Sequence, residues 1–211
     1  MPSQFYQNFT FPTDSGYKYE NFIYVPIPKN GSTTFRHFFL KHGWDEINVF
    51  DADINENTVL FGHITDPMKK HSKSIVEFLV QNNIESFIDV EPYNKILVSA
   101  IVDEHTIPLK YYLGDLFEKI HWIPLDYRYN QFDGTFLTNR FFRKNNLNLH
   151  ITNDDTEYIA DDDKKILYNK AEELKNKWPT IYNNIFSFLI HDLKKYAEVV
   201  DQINHINLDF D

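Results

Sequence analysis

The sequence predicts an α/β fold in which helices flank a central parallel sheet and the C-terminal third of the chain is helical. Short apolar runs rich in β-branched and aromatic residues are typical of buried strands, and they occupy residues 22–25, 58–64, 95–102 and 120–125. From Gly134 onward, apolar residues recur at helical spacing. Strands that alternate with helices favour a mostly parallel sheet.

The remaining elements are predicted from weaker patterns. Residues 44–50 form a possible short strand, and residues 1–20 are predicted to be an irregular arm. In the helical part that follows Gly134, one helix is expected over residues 136–147. A second is expected over residues 155–177 and a third from Pro179, with an apolar face that includes Leu189, Leu193, Tyr196 and Val200.

Length and composition predict a single folded domain that spans residues 1–211. The chain is 42% hydrophobic with 19 Phe and 13 Tyr, which favours an aromatic-rich globule over a disordered chain. No internal repeat or low-complexity linker divides the sequence. Because cysteine is absent, neither a disulfide framework nor a thiolate zinc site is expected.

Charge and hydropathy limit the expected partners. The net charge of −10 argues against a nucleic-acid partner, which would require a basic face. The N-terminal residues lack the pattern of a signal peptide, and no run approaches the ~18 apolar residues of a membrane span. A soluble, cytoplasmic protein with no membrane partner is therefore expected. Arginine is scarce relative to lysine, as an AT-rich viral or phage genome would encode.

The most informative stretch is residues 21–43. The apolar run 22–25 predicts a strand, and the proline- and glycine-containing residues 26–31 predict a turn. A helix is predicted from Ser32, with a hydroxyl residue available as N-cap and Gly43 as the stop signal. Its apolar face is formed by Phe35, Phe38 and Phe39.

A glycine turn that leads into a helix start predicts an anion-binding site. Backbone N–H groups and the positive end of the helix dipole converge there, and Lys29 and several hydroxyls can join them. A Walker A loop places its lysine after the last glycine, whereas Lys29 precedes Gly31. The spacing therefore favours a phosphate or sulfate site that differs from the nucleoside-triphosphate loop.

The order Pro-Lys-x-Gly-Ser/Thr-Thr after a strand resembles the loop by which PAPS-dependent sulfotransferases hold the 5′-phosphosulfate of PAPS (3′-phosphoadenosine 5′-phosphosulfate). The resemblance is nearest to the Golgi-type carbohydrate sulfotransferases, covers residues 21–145 and implies a P-loop-like sulfotransferase architecture. It implies that the cofactor contacts Pro28, Lys29, Asn30, Gly31, Ser32, Thr33 and Thr34. Lys29 would also be catalytic, because it would neutralise charge on the bridging oxygen and the leaving phosphate.

A second segment carries the same resemblance. Thr65-Asp66-Pro67 follows the run 58–64 and predicts a helix start, with Asp66 as N-cap and Pro67 at the first helical position. In the family, Arg-Asp-Pro and the next helix bind the 3′-phosphate of PAPS. The matching residues here are Thr65, Asp66, Lys70 and, one residue out of register, Ser72 or Ser74. Thr65 replaces the arginine, which removes a charge-assisted contact that lysines of the helix are expected to supply instead.

Transfer to a hydroxyl group requires a general base, and histidine suits neutral pH. His63 is the first candidate because ligands of open α/β sheets bind beyond the carboxyl ends of strands. His105 is the second, in an Asp-x-His-x-x-Pro segment that looks like one in the carbohydrate sulfotransferases. An alternative register would make residues 95–105 the 3′-phosphate strand and would match Gly62-His63 to the Gly-His that carries the base in some family members.

The predicted function is transfer of a sulfuryl group from PAPS to a carbohydrate, a small alcohol or a tyrosine, which yields adenosine 3′,5′-bisphosphate. No metal is expected, because His63, Asp66 and His71 lack a recognised zinc spacing. Two alternatives stay open: a degenerate sulfotransferase fold used for binding or structure, which Thr65 favours, and a nucleotide-dependent kinase-like enzyme. The sequence leaves the oligomeric state open.

Overall fold

The computed structural model describes residues 15–71, 73–74, 106–125, 134–152 and 188–205. The predicted strand at 95–102 and the predicted helix at 155–177 lie outside these residues, as do the first nine residues of the helix predicted from Pro179.

Five strands form one mixed sheet in the order β3-β1-β2-β4-β5. They are β1 (Ser15–Tyr19), β2 (Phe22–Tyr24), β3 (Asp45–Asn48), β4 (Val59–Ile64) and β5 (His121–Pro124). β4 pairs in parallel with β2 and β5, whereas β1 is antiparallel to both β2 and β3. The α/β class is confirmed. The central strands β2, β4 and β5 are parallel, as expected, and antiparallel pairing adds β1 and β3 to them.

Helices cover both faces of this sheet. They are α1 (Ser32–Lys41), α2 (Leu109–Leu113), which continues into a 3-10 helix (Gly114–Glu118), α3 (Gly134–Lys144) and α4 (Ile190–His205). Residues 67–71, 73 and 74 are also helical. None of the helices in the described part of the chain is long and apolar enough to cross a membrane.

The alternation of side chains along the strands divides the core into two clusters. Phe22 and Tyr24 pack with α1 and α3, whereas Ile23, between them, packs with α2, the 3-10 helix and α4. All three residues of β2 are therefore buried, as expected of a central strand with helices on both faces. The prediction that helices flank the sheet is therefore confirmed for α1, α2, α3 and α4.

α1 begins and ends with glycine-dependent geometry. At its C-terminus, the N–H of Gly43 donates to Leu40 O and that of Trp44 donates to Phe39 O, both at 3.1 Å, which is a Schellman motif. Gly43 has φ 77, so its prediction as the stop residue is confirmed. The predicted hydroxyl N-cap is wrong. Gly31 occupies that position at φ 74, and no side chain of the described residues caps the helix.

β1 lies in the arm that was predicted to be irregular. It joins β2 through the two-residue turn Glu20-Asn21, in which Glu20 has φ 52 and Tyr19 faces Phe22. Two-residue hairpin turns with positive φ usually contain Asn-Gly or Asp-Gly, so Glu-Asn gave no clear signal. Gly16 also weakened the strand pattern in the sequence. The structure gives a reason for glycine at this position, because a Cβ there would clash with Val49 in the loop after β3.

The C-terminal elements partly match their prediction. α3 is confirmed, and α4 lies within the helix predicted from Pro179. Of the predicted apolar face, Leu189 is buried, and Leu193, Tyr196 and Val200 are half-buried, with Tyr196 packed against the core. Asp192 and Val199 are buried as well, and the Asp192 carboxylate accepts hydrogen bonds from two backbone N–H groups at the start of α2.

Candidate functional site

The candidate site lies where the parallel strands end. The N–H of Val25 donates to Phe61 O and that of Leu125 donates to Ile64 O, each at 2.8 Å, so the ladder continues past the ends of the strands. The loops after β2 and β4 are joined by a hydrogen bond from Thr65 Oγ1 to Asn30 Oδ1 at 2.5 Å. The structure therefore brings together the two segments that the sequence assigned to one ligand.

The loop after β2 is shaped by two residues in the left-handed region. Lys29 has φ 63 and Gly31 has φ 74, and the N–H of Asn30 closes a turn on Ile27 O at 3.1 Å. The left-handed conformation favours glycine at position 31, and a Cβ there would lie 2.8 Å from Leu125 Cδ2, so the end of the Leu125 side chain would have to shift. The left-handed Gly31 followed by the right-handed start of α1 gives the alternation that forms an anion-binding nest.

The N-terminus of α1 supplies further donors. The first helical hydrogen bond runs from the Phe35 N–H to Gly31 O at 3.1 Å, so the N–H groups of residues 32–34 lie outside the helical ladder. The first turn contains no acidic residue, and the side chains of Ser32 and Thr34 are half-buried. The Thr33 side chain is outside the described part. These features fit an anion, which the helix dipole would stabilise.

Asn30 contributes a buried polar side chain to this loop. The side chain is fully buried, and Oδ1 accepts from Thr65, but Nδ2 has no hydrogen-bond partner among the described residues. Leaving a buried donor unsatisfied costs about 1–3 kcal/mol, which exceeds the ~1 kcal/mol that one neutral hydrogen bond returns. The sequence placed Asn30 in the loop, but it gave no sign of this buried donor.

Lys29 is half-buried beside Asn30. A non-glycine residue in the left-handed region costs roughly 1–2 kcal/mol. Backbone strain of this kind is found most often at ligand-binding sites. Pro28, which precedes it, is also half-buried, and it fixes the approach of the chain to this conformation.

Asp66 has the structural role that the sequence predicted. Its Oδ1 accepts from the N–H groups of Met68 at 2.9 Å and Lys69 at 3.4 Å, so the carboxylate caps the helical residues 67–71. The N-cap prediction is confirmed. Because the carboxylate already occupies this helix end, the backbone there offers no second anion cradle.

Two of the residues expected at the 3′-phosphate, Lys70 and Ser74, are buried. Lys70 is 5% exposed. Burial raises the pKa of Asp192 on α4, and the charge of Lys70 is among the causes that oppose this rise, so Lys70 lies towards that helix. Ser74 is fully buried, and its hydroxyl donates to Lys70 O at 2.9 Å. Neither side chain is exposed to an incoming nucleotide. Ser72 lies outside the described residues.

His63 is a core residue. It is fully buried, Nε2 lies 3.0 Å from Thr138 Oγ1, and Nδ1 lies 3.4 Å from the Tyr24 hydroxyl. Its ring stacks on Phe35 with the centroids 3.7 Å apart. Burial lowers its pKa to about 3, so the ring is neutral.

His63 therefore lies in the core and is not exposed beyond the end of the strand, and its role as the base stays a prediction. The physical reason is that residues 61 and 63 of β4 face the cluster beneath α1 and α3. The Thr138 contact joins residues 75 positions apart, and no local pattern in the sequence indicates it. His105 lies outside the described residues, so its role stays a prediction. Within the described ranges, no group of His, Cys, Asp and Glu side chains is arranged to hold a metal ion.

No protein-family model, curated protein or solved structure matches the chain. The function therefore has to be argued from the geometry of the two joined loops.

Proposed function

We propose that the loop after β2 and the N-terminus of α1 bind a tetrahedral oxyanion, and that the protein is a sulfotransferase that uses PAPS. The observation that carries the proposal is the buried Asn30 Nδ2 group. It has no acceptor among the residues that the structure describes, and it adjoins a helix N-terminus that none of their side chains caps. A helix N-terminus alone is common to many proteins. A buried donor without an acceptor is rare, and an anion oxygen would satisfy it.

The donor groups of this loop and helix start are of the kinds that bind phosphate and sulfate. The N–H groups of residues 32–34, the Asn30 amide and the Lys29 ammonium are all donors, and the hydroxyls of Ser32 and Thr34 can also donate. Lysine acts as a point charge, which suits an anion that is already oriented by backbone N–H groups. The Pro-Lys-x-Gly-Ser/Thr-Thr order supports PAPS as the source of that anion.

In the proposed reaction, the acceptor hydroxyl oxygen forms a bond to sulfur as the bond from sulfur to the 5′-phosphate oxygen breaks. The electron pair of the broken bond stays on the phosphate, which leaves as adenosine 3′,5′-bisphosphate, and the product is a sulfate ester. Lys29 would neutralise the charge that develops on this phosphate. The hydroxyl proton passes to a base, and His105 takes this role in the proposal because His63 is buried.

A second candidate is a binding protein with a degenerate sulfotransferase fold. One observation favours it. Thr65 stands where the resembling family has an arginine, and its hydroxyl donates a hydrogen bond to Asn30 and so supplies no charge for a 3′-phosphate. On this reading, the loop would still bind an oxyanion, but sulfuryl transfer would be absent.

Titration calorimetry with adenosine 3′,5′-bisphosphate and with ATP tests the proposal. We expect the bisphosphate to bind more tightly than ATP, and Lys29→Ala to weaken it at least about tenfold, or about 1.4 kcal/mol. Lys18→Ala is the matched control, because Lys18 is an exposed lysine on β1 and its removal changes the net charge equally.

Four other results would lead to different conclusions. Absence of binding to a folded wild-type protein, or equal binding by Lys29→Ala, would overturn the proposal. Tighter binding of ATP would favour the kinase-like alternative. Bisphosphate binding without transfer from PAPS to any hydroxyl acceptor would favour the binding protein.

A further inference from the structure

The hydrogen bond between Thr65 and Asn30 fixes the direction of a donor. Oδ1 and Nδ2 of an asparagine share one planar amide, so a bond that holds Oδ1 also sets where the NH₂ group points. Thr65 follows β4, and Asn30 lies in the loop after the neighbouring parallel strand β2. The bond therefore holds the Asn30 amide relative to both strands.

We infer that Thr65 is a positioning residue that orients the Asn30 amide, so that Nδ2 donates to a tetrahedral oxyanion bound at the start of α1. This inference rests on the proposed function for the presence of the anion. It assigns Thr65 a different role from the arginine in the resembling family, because Thr65 acts through Asn30 and not by charge. Asn30 becomes a ligand-binding residue through its side chain as well as its backbone.

A purely structural role for this bond does not account for the geometry. If the bond only joined two loops, the amide would bury a second donor without any return, and that cost exceeds the gain from one hydrogen bond. A ligand that brings a hydrogen-bond acceptor would satisfy the Asn30 Nδ2 group. Because Nδ2 is shielded from water, a hydrogen bond to an anion there is stronger than the same bond at the surface.

The test uses variants of Thr65 in the full chain. Thr65→Val keeps the side-chain shape and removes the hydroxyl, whereas Thr65→Ser keeps the hydroxyl and is the control. The probes are inorganic phosphate, inorganic sulfate and adenosine 3′,5′-bisphosphate, with affinity measured by calorimetry and melting temperature measured with and without ligand. We expect Thr65→Val to weaken binding of the bisphosphate about tenfold and Thr65→Ser to change it less than about threefold.

A double-mutant cycle separates positioning from general stability. If Thr65 acts through Asn30, adding Thr65→Val to Asn30→Ala costs no further affinity, since the amide that it orients is gone. If Thr65 is only structural, Thr65→Val lowers the melting temperature of the free protein, leaves the affinity of the folded protein unchanged and adds to any effect of Asn30→Ala. That result would overturn the inference.

Failure of the inference can be told apart from failure of the proposed function. Wild-type protein that binds none of the three probes overturns both. Wild-type binding that survives intact in Thr65→Val overturns the inference alone. Binding of phosphate or sulfate that Thr65→Val weakens, with no preference for the bisphosphate, supports the inference and removes the nucleotide from the proposed function.

Discussion

At the scale of single residues, Gly31 and Gly43 form a natural comparison on either side of α1. Both have positive φ, at 74 and 77, but only at Gly31 would a Cβ meet other atoms, the nearest being Leu125 Cδ2. Replacing either glycine with alanine should therefore add backbone strain, whereas a clash with the added methyl group is expected only at Gly31. The difference in stability loss between the two alanine variants therefore measures how tightly the loop packs around Gly31.

We expect Gly31→Ala to lower the free energy of unfolding by about 2–4 kcal/mol, because the clash adds to a left-handed strain of ~1 kcal/mol. Gly43→Ala should show only the strain. Urea denaturation of both variants measures the difference. Equal losses at the two positions would mean that the loop relaxes around the added methyl group.

His63 predicts a pH dependence of stability. Its folded pKa of about 3 lies below its usual value of 6.5, so the folded state binds fewer protons than the unfolded state between these pH values. The contribution of His63 is fully present above pH 6.5 and is lost as pH falls towards 3. The shift corresponds to a loss of up to about 5 kcal/mol.

Urea denaturation of the wild-type protein and His63→Gln at several values between pH 7 and pH 4 measures this contribution. We expect the free energy of unfolding to fall less steeply with pH in the variant. His37→Gln, at an exposed position on α1, is the control. A wild-type slope that is retained in His63→Gln would show that other groups cause the acid sensitivity.

At the scale of the elements, Asp192 shows how a helix can depend on a distant residue. Its carboxylate accepts the N–H groups of Leu109 at 2.6 Å and Lys110 at 3.1 Å, so α4 supplies the cap of α2 from 83 and 82 residues away. Burial raises the pKa of Asp192, and the two backbone N–H groups oppose that shift. Pro108, the N-cap residue of α2, has no side-chain group that could do this.

Asp192→Ala should therefore destabilise the fold by about 2–4 kcal/mol, since it removes a cap and leaves two N–H groups in the core without acceptors. Asp53→Ala, at an exposed position in the loop before β4, should change stability by less than about 0.5 kcal/mol. Thermal and urea unfolding provide the measurement. A small loss in Asp192→Ala would indicate that α2 finds another cap.

The sequence was most informative where the signals are local. Apolar runs located β2, β4 and β5, and the pairing of Asp66 with Pro67 located a helix start. It was least informative about Asp192 and His63, because their partners lie tens of residues away and hydrophobic periodicity does not record such polar contacts. β1 was missed for a related reason, since its place between β3 and β2 depends on pairing with both strands.

At the scale of the whole molecule, the candidate site was predicted in part. The sequence identified the loop and the strand end that contribute to it, and these meet in the structure. The sequence also placed His63 and Lys70 at the site. In the structure, His63 faces the core beneath α1, and Lys70 lies towards Asp192 on α4. Position along a strand or helix indicated the right edge of the sheet, but it did not indicate which way each side chain points.

The bond between the two loops also links ligand binding to folding. Thr65 and Asn30 are 35 residues apart, and they meet only after β2 and β4 have paired. The unfolded chain therefore has no assembled site, and neither has an isolated β1–β2 hairpin. A ligand that binds only the native state adds about 2.7 kcal/mol to its stability at 100 times the dissociation constant. For this protein, the anion concentration of its surroundings would then become one of the variables that set its melting temperature.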